Sequence, residues 1–286
     1  MMTTYGVTGA SGQLGKFVLN ELLEKVAASD IVAFGRDTSK LADYAAKGVT
    51  VRAIDYDKPE ELPAALAGVD RLLLISGSAL GERPRQHANV INAAKEAGVD
   101  YIAYTSILEA ETTPIKLGRE HQATEETLAA SGIDYDLCRM GWYNENYIGS
   151  LAPQVEHGVI TGAQGQGRIS SASRADLAAG LAVVLVKGEG GTTYDLAGDT
   201  SWTMEDFAAE VSKQAGKPIK YVDMPEAEYA KSLEQVGLPG YIAAVVANSA
   251  AATAKGALEN DSRTLSGLTG RATTPISQTI ASALKN

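Results

Sequence analysis

Three glycines stand three residues apart, at positions 9, 12 and 15, in the stretch TGASGQLG behind a short β-like run. Glycine loses more backbone freedom on folding than any other residue, so this spacing serves a geometry that a Cβ would block. Between a strand and a helix, the first glycine permits a tight turn and the second lets backbone approach a pyrophosphate. The third lets helix and strand pack closely. The N–H groups that open the following helix then face the anion. A glycine-rich turn without function has the same letters; what favours a dinucleotide is the strand before Gly9, the helix after Gly15 and the four alternations that follow.

About twenty residues beyond the last of these glycines, a second strand ends in VAFGRD. An acid at such a position binds the ribose 2′-hydroxyl of NAD, whereas an arginine accommodates the 2′-phosphate of NADP. Arg36 comes first and Asp37 second. The planar, permanently charged guanidinium suits a phosphate, and Lys40 adds charge one turn on. The alternative is a solvated Arg36 beside an Asp37 that caps the next helix. Asp55 and Tyr56, after the third strand, stand where such folds border an adenine. Ser76, Gly77 and Ser78, after the fourth, stand near a ribose, unless they are simply a loop.

The elements that must position these residues alternate along the first half: TTYGVTG, QLGKFVLNELLEKVAAS, DIVAFGR, SKLADYAAKG, VTVRAID, PEELPAALAG, DRLLLIS, RQHANVINAAKEAG and DYIAYTS. Parallel strands need crossovers, and the crossover is normally a helix, so the pattern predicts a doubly wound α/β fold of Rossmann type. A helix over 118–131 and a strand over 133–139 extend it. The chain then becomes rich in glycine and aromatics before RADLAAGLAVVLVKG and TTYDLAG return it to the sheet. Residues 1–141, with about 174–198, form the nucleotide-binding domain. The remainder, about 142–173 and 199–286, forms a smaller, mostly helical lobe on the substrate side. It opens on a Thr203-to-Asp206 capping pattern, continues through KPIKYVD and ends in three helices.

Composition narrows the function classes. Lys and Arg number 25 against 35 Asp and Glu, a net charge of −10 without a basic run, which repels nucleic acid. The start has no signal-peptide pattern and no apolar run approaches a membrane span, so a cytoplasmic location is expected. The single cysteine, Cys138, is read as a buried strand residue. Three histidines in no ligand spacing predict no metal site.

Taken together, TGASGQLG, FGRD, LLLISGS, QHANVINAAKEAGVDYIAYTS and GWYNENY resemble the NmrA-like branch of the atypical short-chain dehydrogenases/reductases. Within it the chain is similar to the bacterial type 2 NAD(P)H:quinone oxidoreductases and, further off, to the triphenylmethane reductases. The resemblance runs on through EHGVITGA, YDLAGDTSWT and VGLP, nearly the whole chain. It implies NADPH bound without flavin and direct hydride transfer to a quinone, in a chain compatible with a homodimer. It puts the cofactor on Gly9, Ala10, Ser11, Gly12, Gln13 and Leu14, with Gly15 behind them, and on Arg36 and Ser76–Ser78. Met140, Gly141, Trp142, Tyr143, Asn144 and Glu145 complete the set. Met140 departs from the family's Asn, which removes a polar contact near the nicotinamide.

A quinone asks for less acid–base chemistry than an alcohol, and the Tyr and Lys four apart of the alcohol dehydrogenases are absent here. HQATE instead sets His121 and Glu125 on one helical face, as a proton relay or as a structural pair. A hydroquinone oxygen resembles a phenol with a pKa of roughly 10, so water or Tyr143 suffices as proton source. Trp142, Tyr143 and Asn144 are candidates to touch the acceptor, against a reading of Trp142 and Tyr147 as core. Two other functions fit the same residues: a dye-like acceptor, or a redox sensor that binds NADP(H) without turnover. A sugar-nucleotide epimerase needs the absent Tyr/Lys pair.

Overall fold

The structure, a computed structural model, describes residues 3–285. The chain begins β1 (Tyr5–Val7), α1 (Gln13–Leu23), β2 (Ile31–Gly35), α2 (Ala42–Ala46), β3 (Thr50–Ala53), α3 (Leu62–Leu66) and β4 (Arg71–Leu74). Next come α4 (Arg83–Ala97), β5 (Tyr101–Ile107), α5 (Gly118–Ser131), β6 (Asp134–Met140), α6 (Glu145–Ile148), α7 (Leu151–His157), β7 (Val159–Gly162), α8 (Arg174–Lys187) and β8 (Thr193–Leu196). It ends with α9 (Met204–Ala215), β9 (Lys220–Asp223), α10 (Glu226–Gln235), α11 (Gly240–Thr253), α12 (Thr264–Thr269) and α13 (Ile276–Ala283). Four helices, one more than expected, follow β9.

Seven strands form one sheet in the order β3-β2-β1-β4-β5-β6-β8. The order reverses between β1 and β4, the switch point at whose carboxyl edge open α/β sheets bind ligands. Strand residues two apart share a face. Val32, Phe34, Leu72, Leu74, Ile102 and Tyr104 accordingly join Leu62, Leu66, Val90, Ile91 and Leu128 in one buried cluster. α8 packs on α1 and on β4, β5 and β6. Its Leu177, Leu181, Val184 and Leu185 are all buried. Burial on both faces explains the continuous apolar runs of these strands. Cys138 is wholly buried in β6, and burial, then Asp136, pushes its thiol up.

The chain divides into two units. The first comprises 1–107, 120–140 and 174–194; the second comprises 108–119, 141–173 and 195–286. Residues 108–119 thus group with the second unit, where the sequence placed them in the first. Within the second, β7 and β9 pair in parallel, Val159 opposite Lys220. Thr203 and Asp206 close a reciprocal capping box on α9, whose Met204, Phe207 and Val211 are buried.

Candidate functional site

In the first unit the β1–α1 turn is built from backbone. Gly9 has φ +60°, a conformation an L side chain rarely adopts. The Gly12 N–H donates to Gly9 O at 3.0 Å and Ala10 N–H to Phe34 O at 3.1 Å, which closes the turn against β2. A Cβ on Gly15 would run into Gly9 O and the Ala10 backbone, and one on Gly12 would meet Gly9 O at 3.2 Å. Thr8, buried, donates to Leu73 O at 3.2 Å and accepts from Ile75 N–H at 3.0 Å, tying the ends of β1 and β4 together. Gly12 caps α1 without a side-chain bond, and the first turn holds no acid. The N–H groups of Gln13 and Leu14 therefore lack an intrahelical acceptor. The side chains of Ser11 and Gln13 also lack hydrogen-bond partners among the described residues. Such a cradle, a positive helix end with free donors and no competing carboxylate, fits a pyrophosphate.

Arg36 follows β2 directly, exposed, with no hydrogen-bond or ion-pair partner among the described residues. The structure shows the capping reading of this corner, and the cap leaves the Arg36 guanidinium in solvent. Asp37 caps the next turn through Ser39 N–H at 3.1 Å, and Lys40 leans on Asp37 at 3.8 Å, leaving Arg36 as the unengaged cation. Serine hydrogen bonds hold the Asp37 carboxyl below its ordinary range, so this cap stays charged. Asp55 accepts from Asp57 N–H at 3.1 Å in its own turn. Tyr56 packs against the core cluster, and burial pushes its phenol up to about 12.

After β4 the loop 75–78 is pinned from beneath. Ser76 N–H donates to Thr105 Oγ1 at 2.8 Å, Gly77 N–H to His87 Nε2 at 3.0 Å, and Arg83 Nε to Gly77 O at 2.8 Å. Because His87 Nε2 accepts, its proton sits on Nδ1 and goes to Thr124 Oγ1 at 3.0 Å. Arg83 also pairs with Glu120 at 3.0 Å. The hydroxyls of Ser76 and Ser78 are left without partners among the described residues, above backbone groups held by Thr105, His87 and Arg83.

His121 lies in the same buried layer, its Nδ1 2.8 Å from Tyr104 Oη. Burial, then Arg83 and His87, lowers its pKa to about 3; burial and Arg83 do the same to His87. Both imidazoles are therefore neutral at physiological pH. Glu125 accepts from Ser106 Oγ at 2.6 Å and pairs with Arg139 at 2.6 Å. His121 and Glu125 thus share a helical face, as their spacing predicts, but each holds a different partner and they form no relay with one another.

Met140 is buried at the end of β6, opposite Ile107. In the second unit, Gly141 bonds Leu196 O at 3.0 Å, and a Cβ there would meet Ser170 O at 3.2 Å. Trp142 to Asn144 then run beside 171–172: Tyr143 bridges Ala172, and Asn144 N–H donates to Ala172 O at 2.9 Å. The buried Asn144 amide accepts from Ser171 Oγ at 2.6 Å and donates to Thr274 O at 3.2 Å and Thr279 Oγ1 at 3.1 Å. Ser171 Oγ in turn accepts from Trp202 Nε1 at 3.0 Å. Trp202 meets Tyr147 edge-on, ring centroids 4.7 Å apart, and Phe207 packs on both. Asn144 is therefore the knot that fixes an aromatic wall. Glu145 opens α6.

That wall borders a cavity of about 430 Å3 within the second unit, where Trp142, Tyr147, Phe207, Met204 and Tyr229 join Gln154. Its volume and aromatic lining are those of a small-molecule site. Tyr143 and Asn144 do not line it. The sequence reading missed Gln154 and Tyr229, which lie in no motif, and gave no role to His87, although it stands in the matched segment QHANVINAAKEAGVDYIAYTS; each is one polar residue in an ordinary helix.

Comparison with known proteins agrees with this geometry. The family model described as NAD(P)H-binding matches residues 9–187. Quinone oxidoreductase 2 of Escherichia coli (strain K12) is 50% identical over 276 residues, 96% of either chain. The crystal structure of an NADPH-dependent quinone oxidoreductase from Escherichia coli, complexed with NADPH, superposes with TM-score 0.96 at 49% identity, covering 99% of this chain and 100% of that one. The Citrobacter sp. triphenylmethane reductase complexed with NADP(H) gives 0.93 at 37% identity, covering 98% and 100%. A glycine turn whose free N–H groups suit an anion and a family match over residues 9–187 meet in one conclusion: the chain belongs to the NAD(P)H-binding family.

Proposed function

We propose that the chain is an NADPH-dependent quinone reductase working without flavin. The observation that carries the reading is the unengaged Arg36 beside the open β1–α1 turn, in a chain half identical, almost end to end, to a quinone oxidoreductase. NADPH, when bound, supplies the hydride. Gly9 to Leu14, with Gly15 holding the helix close, bind the pyrophosphate through backbone N–H groups. Arg36 binds the 2′-phosphate, and Ser76 and Ser78 offer hydroxyls to the ribose. Met140 to Glu145 border the nicotinamide; Trp142 meets the acceptor, and Asn144 positions it through the Ser171–Trp202 wall, with Tyr143 beside them. Reduction to a hydroquinone leaves oxygens with the pKa of a phenol, roughly 10, so water or Tyr143 completes protonation without a strong acid. His121, neutral and bonded to Tyr104, is assigned to supporting the loop 75–78. The reading includes a cytoplasmic enzyme acting on a small molecule, in a chain compatible with a homodimer.

The test is absorbance decay of NADPH, and separately NADH, with purified protein and a small water-miscible quinone, no flavin added. Saturable oxidation with NADPH preferred supports the reading. Tight NADPH binding without turnover on any quinone overturns it in favour of the sensor. The likeness to triphenylmethane reductase favours one second reading, a conjugated dye as acceptor, told apart by the ratio of rates on dye and quinone.

A further inference from the structure

The cavity of the second unit is lined by polar groups that have no hydrogen-bond partner among the described residues. Gln154 Oε1 is a buried acceptor without a hydrogen-bond partner. Its amide nitrogen is engaged, donating to Ser150 Oγ at 3.0 Å. Leaving such an oxygen unpaired is costly, and proteins rarely do so without a ligand or water to fill the place. Two phenols line the same space, Tyr147 and Tyr229. Neither hydroxyl has a hydrogen-bond partner among the described residues. Burial raises both phenols, so both remain donors at neutral pH. Around them Trp142, Met204 and Phe207 supply flat and flexible apolar surface. A ligand matching this set is an aromatic ring with a hydroxyl, which donates a hydrogen bond to Gln154 Oε1 and accepts one from a tyrosine.

We propose that this cavity binds a hydroxylated aromatic ring of one or two rings, the reduced form of the quinone, through Gln154, Tyr147 and Tyr229. That the occupant is the reduced acceptor rests on the reductase reading; the preference for an aromatic O–H rests on the cavity alone. A quinone has no proton for Gln154 Oε1, so the site holds hydroquinone more tightly than quinone. The enzyme is accordingly inhibited by its own product.

The experiment uses redox-inert probes. Isothermal titration calorimetry of the full chain compares 2-naphthol with 2-methoxynaphthalene, which has the same rings and no O–H. The expected result is 2-naphthol bound about tenfold more tightly, the worth of one hydrogen bond to a buried acceptor. Gln154→Leu abolishes the difference and leaves the ether's affinity unchanged; Tyr229→Phe weakens both ligands. Ser150 Oγ can serve either end of the amide, so a preference for the ether, or no binding of either probe, overturns the proposal. A second variant on the wall, Gln154→Met, repeats the test should Gln154→Leu fold poorly. Quinone-dependent NADPH oxidation without 2-naphthol binding overturns the cavity assignment and leaves the reductase reading standing. Selective 2-naphthol binding with no oxidation supports the hydroxyarene site and overturns the reductase.

Discussion

Arg36→Ala tests the cofactor assignment with little risk to the fold. The guanidinium is exposed and unpaired, so its removal strands no buried group, and Asp37 keeps its cap to Ser39. A 2′-phosphate carries a charge of about −1.5 to −2 at neutral pH. At 4 Å one unit pair is worth about 1 kcal/mol in water and about 4 at an effective dielectric of 20. An exposed arginine sits toward the lower limit, and charge-assisted hydrogen bonds add to it. About 2 kcal/mol is a fair centre, a thirtyfold loss of NADPH affinity. NADH lacks the phosphate and should change by less than about twofold. The difference should shrink as pH falls below about 6, the second phosphate pKa, because the phosphate then loses half its charge. It should also shrink as salt shortens the Debye length from about 10 Å at 0.1 M to about 3 Å at 1 M. Fluorescence titration of both nucleotides at pH 7.5 and 5.5 reads all of this. Equal weakening of NADPH and NADH, or a ratio indifferent to pH and salt, refutes the 2′-phosphate role. Lys40→Ala should have a much smaller effect, since Lys40 already leans on Asp37.

Gly15→Ala drives a methyl into Gly9 O and the Ala10 backbone, an overpacking of about 1–3 kcal/mol seen as a lower Tm and NADPH binding weakened more than tenfold. An unchanged Tm would show that the turn tolerates a Cβ. Asn144→Ala releases Ser171 and its hold on Trp202, and should cost about 2–3 kcal/mol in a urea melt. Asn144→Asp, which retains the acceptor for Ser171, should recover part of it. His87 and His121 are held neutral with pKa near 3, whereas an unfolded histidine takes a proton below about pH 6.5. Their contribution is therefore full above pH 6.5 and falls toward pH 3, at up to about 1.4 kcal/mol per unit for each. Urea midpoints at pH 7, 6 and 5 should show a shallower slope in His121→Gln than in the parent; identical slopes would mean that His121 is protonated within the fold. The rate on quinone should show no inflection near pH 6.5 that His121→Gln removes.

The β1–α1 turn was readable because its geometry is local. Gly9, Gly12 and Gly15 act through the backbone of one turn and the helix that continues it, so their spacing along the chain is their spacing in space. Arg36 is placed as simply, one residue past a strand whose apolar run marks its end. Asp37 served the capping role offered for it, and this is compatible with the phosphate role proposed for Arg36 because the two side chains use different atoms. The Thr203–Asp206 capping box was legible for the same reason, as was the burial of Cys138 in an apolar strand.

Other assignments depended on partners far away in sequence. The i,i+4 spacing put His121 and Glu125 on one face, yet Tyr104 on β5 claims the first and Ser106 and Arg139 claim the second. Helical periodicity specifies a direction, not what waits there. Asn144 stood among candidates for touching the acceptor, and its amide is spent on residues 171, 274 and 279.

What the sequence determined by itself was therefore the parallel sheet and the glycine turn between its first strand and first helix, both consequences of period, chain direction and backbone freedom, whereas the strand order and its switch point came from the structure. The cavity was decided by tertiary structure alone. Its wall collects side chains from positions 117 to 253, and Gln154 shares one space with Tyr147 and Tyr229 only because α7, α6 and α10 all border it. A polar atom's lack of a partner is a property of everything around it, and no local pattern of residues records that.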